Sequence, residues 1–64
     1  MDKARFLKVY ANLPINIRDD IVLTVEREND RRIPITWNVA YVEISNDTEL
    51  GKKIFNKLVE LQII

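Results

Sequence analysis

Apolar positions recur at helical spacing near both ends of this chain and crowd together in its middle. Phe6, Val9, Tyr10 and Leu13 fall at i, i+3, i+4 and i+7, one face of a helix. Asp2 precedes this run. Its carboxylate suits the cap and the positive end of the helix dipole. The spacing predicts a first helix from Asp2 to about Ala11. Asn12-Leu13-Pro14 ends it, because proline disfavours the helical conformation at the residue before it. Pro14 then suits the first turn of a short helical segment over residues 15–20.

From Ile21 to Val25 the character changes. Ile-Val-Leu-Thr-Val is β-branched and almost continuously apolar, as expected of a strand that is covered or that pairs a partner. A charged run, Glu26 to Arg32, follows as a loop with Asn29-Asp30 as its turn residues. Ile33-Pro34-Ile35 resumes the β pattern. Pro34 cannot donate to a ladder, so this strand is an edge or very short. The expectation is a β-hairpin that helices must cover, since an isolated hairpin is marginal in water.

Residues 36–44 fit two readings. As a helix, Thr36 is the N-cap, and Trp37, Ala40, Tyr41 and Ile44 form an i, i+3, i+4, i+7 stripe. As a strand, the Trp, Tyr, Val and Ile content is favourable, but Asn38 and Glu43 spoil one face each. The helix fits better. Ser45-Asn46-Asp47 reads as a turn. Asp47 or Thr48 then caps a last helix with Leu50, Ile54, Phe55, Leu58, Val59 and Leu61 on its apolar face. Gly51 sits on that face. A helical glycine costs about 1 kcal/mol against alanine, so close approach by another backbone is the expected compensation. Ile63-Ile64 is expected to tuck into the core or meet a partner.

These elements predict a small α+β domain over residues 1–64: N-terminal helix, short helical turn, β-hairpin and two C-terminal helices. The alternative is all-helical, with residues 21–25 continuing the second helical segment.

Composition narrows the chemistry. There is no histidine and no cysteine in 64 residues, and only one glycine. That removes the usual neutral-pH proton carrier, the thiolate nucleophile, disulfides and Cys/His metal sites. No Gly-rich loop can cradle a phosphate. Asp19-Asp20 is the only adjacent acidic pair, and neighbouring side chains on a regular element point apart. Glu26, Glu28 and Asp30 lack the spacing of a calcium loop and sit among arginines. An enzyme is not expected, nor a cofactor, a metal or a small-molecule substrate.

Ten basic residues balance ten acidic ones. A neutral chain has no long-range pull toward nucleic acid or anionic membranes, and little self-repulsion. No apolar run reaches the roughly 18 residues a membrane span needs, and no apolar segment follows Met1-Asp2-Lys3-Ala4-Arg5 as a secretory signal would. A cytoplasmic protein is expected. Asn12-Leu13-Pro14, Arg18, Thr36-Trp37-Asn38, Ala40-Tyr41, Glu43, Leu50-Gly51 and the stretch from Leu58 to Ile63-Ile64 resemble short uncharacterised prokaryotic proteins of this length. The resemblance implies no activity.

What remains is binding through contacts. A core this small supplies about 3–5 kcal/mol, and Trp and Tyr are enriched at interface hot spots. The expected function is a non-catalytic protein-interaction module: a homo-oligomer, or the small partner of another protein such as an antitoxin-like inhibitor. Its expected surface is Trp37, Tyr41, Phe55, Leu58 and Ile64. The alternative is a small DNA-binding regulator using Arg31, Arg32, Lys52 and Lys53.

Overall fold

Three capping side chains start the three α-helices found among the described residues. Asp2 Oδ1 accepts from the Arg5 amide at 3.3 Å and opens α1, Lys3–Ala11. Thr36 Oγ1 accepts from the Val39 amide at 3.1 Å and opens α2, Trp37–Ser45. Thr48 Oγ1 accepts from the Gly51 amide at 2.9 Å and opens α3, Glu49–Glu60. Each removes one of the amide donors a helix start leaves unpaired. Between α1 and α2 lie a 3-10 turn, Ile15–Ile17, and an antiparallel hairpin of β1, Ile21–Arg27, and β2, Arg31–Thr36. The computed structural model describes residues 2–27 and 31–64. The order is α+β, helix–hairpin–helix–helix; the all-helical alternative fails at β1.

The hairpin is longer at its tip than the charge pattern suggested. Glu26 pairs Arg32 and Arg27 pairs Arg31, so the ladder runs into the polar stretch read as loop. Opposite charges at Glu26 and Arg32 suit a cross-strand pair. The expected turn residues, Asn29-Asp30, lie outside the described residues. An irregularity at Val22 shifts the register between Ile21 and Leu23.

Leu23, Val25 and Ile35 face inward, while Thr24, Glu26, Arg32 and Pro34 face solvent. The inward face meets Phe6, Trp37, Ala40, Ile44, Ile54, Phe55 and Leu58 in one core. Leu61, read as part of the apolar face of α3, lies past its end and is half exposed.

Both C-terminal helices end in the same way. Beyond α2, the Asp47 amide donates to the Ile44 carbonyl and the Thr48 amide to the Glu43 carbonyl. Beyond α3, the Gln62 amide donates to Val59 and the Ile63 amide to Leu58. This paired arrangement is a Schellman motif, which requires a left-handed residue just past the helix. Asp47 at φ 56° and Gln62 at φ 59° occupy that position. Thr48 thus closes α2 with its amide and opens α3 with its hydroxyl. The joint is tight enough that a Cβ on Gly51 would overlap the Glu43 carbonyl. The expected backbone approach at Gly51 is therefore made by α2.

Candidate interaction surfaces

Of the five residues expected to form a protein interface, three close the chain's own core. Trp37, Phe55 and Leu58 are buried, and the Trp37 ring lies 6.2 Å from that of Phe6. The hairpin and α1 cover the side that the sequence left open to a partner. Ile64 is half-buried against the same core, and its carbonyl accepts from Arg5 Nη2 at 2.8 Å. Tyr41 remains on the surface, 39% exposed, with its ring stacked on Tyr10 at 4.7 Å.

Uncovered apolar side chains among the described residues include Ile15 and Ile21 near the start of β1, and a pair on the opposite side of α2. Val39 is 40% and Val42 52% exposed. They sit three positions apart on one face, and with Asn38 and Glu43 they line a shallow depression of about 260 Å³. This pair is not marked by size, because the large aromatics of the chain lie elsewhere on its helices. The signal was present: a helix whose inward stripe is Trp37, Ala40 and Ile44 must turn Val39 and Val42 outward.

The start of α2 is anchored by a turn distant in sequence. The Trp37 amide donates to the Asp20 carbonyl at 3.3 Å and the Asn38 amide to the Arg18 carbonyl at 3.0 Å. With the Thr36 cap, the first three amides of α2 are all paired. Side chains reinforce the joint. Tyr10 donates its hydroxyl hydrogen to Asn38 Oδ1, and Asn38 Nδ2 donates to Asp19 Oδ1, both at 2.6 Å. The Arg18 guanidinium lies 4.4 Å from the Tyr10 ring centroid, and its Nη2 donates to the Tyr10 carbonyl at 3.3 Å. This network fixes how α2 presents its outer face.

The four expected nucleic-acid residues do not form one patch. Lys52 lies 3.5 Å from Glu49, one turn back on α3. Arg31 is exposed at the hairpin tip end of β2. Arg32 and Lys53 do share a site: with Thr24, Val25, Glu26 and Lys57 they line an open groove of about 460 Å³. Arg32 Nε lies 3.7 Å from Glu26 Oε1. Lys57, one helical turn beyond Lys53, was not singled out from the sequence. No aromatic side chain is in the lining.

Among the described residues, no three His, Cys, Asp or Glu side chains are grouped to hold a metal ion. No helix among them is long and apolar enough to cross a membrane. No protein family, curated protein or solved structure matches this chain, so no residue's role is carried over from a relative.

Proposed function

We propose that this protein is a non-catalytic interaction module that pairs with a second copy of itself through the outer face of α2. The observation that carries this reading is the exposure of Val39 and Val42 on a helix. A β-branched residue costs a helix roughly half a kcal/mol against alanine. An inward-facing valine recovers that by burial, and these two, 40% and 52% exposed, recover only part of it within one chain. Covering them on a second copy would supply the missing burial. The chain is neutral, so two copies do not repel. Antiparallel packing of two α2 helices would also set opposite dipole ends side by side.

Sedimentation equilibrium of the full chain tests this. The expected result is a monomer–dimer equilibrium that Val42→Glu shifts to monomer while the helical circular dichroism is unchanged. A wild-type chain that stays monomeric, or a Val42→Glu chain that dimerises equally well, overturns it.

Nucleic-acid binding is the second reading, favoured by the meeting of Arg32, Lys53 and Lys57 in one groove. The Glu26 carboxylate and the absence of an aromatic platform in that lining weigh against it. Its test is salt-dependent binding to duplex DNA that weakens in Arg32→Ala/Lys53→Ala.

A further inference from the structure

The hairpin has an unused side. β1 pairs β2 along one edge, and no third strand is present among the described residues. Among the described residues, none of the backbone hydrogen bonds made outside the helices and the hairpin ladder reaches residues 22–26. A strand edge of this kind offers a row of unpaired amides and carbonyls, a template for another extended chain. A groove lined by Lys53 and Lys57 of α3 and by Arg32 of β2 also takes in three residues of β1. Thr24, Val25 and Glu26 are consecutive, and successive strand side chains point to opposite faces. A groove lined by all three therefore follows the strand's edge rather than one face of the sheet.

Charge selects the occupant. Three cations stand against one carboxylate, Glu26, which Arg32 already approaches at 3.7 Å. A second copy of β1 laid along this edge would bring its own Arg32, Lys53 and Lys57 to the same place. Like charges at a strand edge oppose self-pairing and favour a strand of opposite sign. Lys53 and Lys57 are one turn apart on α3, which separates their Cβ atoms by roughly 6 Å. Alternate residues on one side of an extended chain are roughly 7 Å apart. Two carboxylates at alternate positions thus match the two lysines in spacing.

We propose that the groove between β1 and α3 is a docking site for an acidic extended segment of another protein. The segment adds as a third strand on β1 and places alternate Asp or Glu side chains against Lys53 and Lys57. This recognition combines main-chain pairing for affinity with side-chain charge for selection. It uses a different surface from α2 and stands independently of self-pairing there.

The test uses the full-length chain and a fluorescent decapeptide of alternating Thr and Glu, read by polarisation. Three comparison ligands accompany it: the same pattern with Lys for Glu, the acidic peptide N-methylated at alternate amides, and a single-stranded oligonucleotide of similar charge. The expected result is saturable binding of the acidic peptide only. Lys53→Glu/Lys57→Glu should weaken it at least about tenfold, as reversal of two facing charges does. Both lysines are on the solvent face of α3, and unchanged circular dichroism would confirm that this variant folds. Amide shifts at residues 22–26 would place the peptide on β1. Val42→Glu should leave its affinity unchanged, which separates this site from the α2 face. Equal binding of the N-methylated peptide would reduce the site to bare electrostatics and overturn strand addition. Tighter binding of the oligonucleotide would overturn the peptide in favour of nucleic acid. No binding of the acidic peptide would mean that the lysines serve only to keep the edge from aggregating.

Discussion

Two residues carry opposite lessons about helix chemistry. At Gly51 alanine is the better helix former by about 1 kcal/mol, yet its Cβ would stand 2.6 Å from the Glu43 carbonyl carbon and 3.0 Å from the Ile44 amide nitrogen. Both obstacles are backbone, so relief requires α2 and α3 to separate. Overpacking of this kind costs about 1–3 kcal/mol, and with rigid neighbours the upper end applies. Gly51→Ala should therefore lose about 1–2 kcal/mol net, read as a lower urea midpoint at unchanged slope. Gln62 is the reverse case. It holds φ 59° to complete the Schellman motif after α3, a conformation that costs a side-chain-bearing residue about 1–2 kcal/mol. Gln62→Gly should raise stability by about 0.5–1 kcal/mol, after the larger chain entropy of glycine is subtracted. The urea midpoint should rise. A fall would show that the Gln62 side chain contributes more than its backbone strain costs.

At the scale of elements, α2 shows what a sequence can and cannot specify. Its stripe and its Thr36 cap were readable, and they favoured helix over strand for residues 36–44. The amide partners that complete its start were not: Arg18 and Asp20 lie in a turn nearly twenty residues away, and nothing local marks them. Thr36→Val should cost about 1 kcal/mol by removing the cap acceptor, whereas Thr36→Ser should be nearly neutral. A neutral Thr36→Val beside a destabilised Thr36→Ser would mean that the Thr36 methyl, not its hydroxyl, holds the corner. The hairpin was legible from its β-branched density, but its length was not. Charged residues read as loop, yet Glu26 and Arg32 face solvent as a cross-strand pair. The candidate site was the least legible. Trp37, Phe55 and Leu58 have the composition of an interface and the position of a core, and only packing separates the two. Val39 and Val42 were marked by their place off the stripe, whereas the meeting of Arg32 with Lys53 and Lys57 depends on how α3 crosses β1.

For the whole molecule, small size makes each buried group count. A core of this length supplies about 3–5 kcal/mol, and truncating a buried tryptophan costs about 3–5 kcal/mol. Trp37→Ala should unfold the chain, while Trp37→Phe should leave it folded with a lower melting temperature, both seen by circular dichroism. A folded Trp37→Ala chain would return that side chain to the list of interface residues. Marginal stability also makes association visible as heat resistance. A second copy that binds only the folded chain stabilises it by mass action, about 2.7 kcal/mol when the free copy stands at a hundred times the dissociation constant and less at the same total concentration, because most copies are then paired. In a domain of this size each kcal/mol moves the melting temperature by about 4–8 °C. If α2 pairs with α2, the melting temperature should climb by several degrees across a hundredfold range of protein concentration. Val42→Glu should remove that dependence while matching the wild-type value at the dilute end, because Val42 is half exposed in the single chain. A flat wild-type profile would mean that the outer face of α2 does not join two copies. A Val42→Glu chain that melts lower even at high dilution would mean that Val42 supports the fold of the monomer itself.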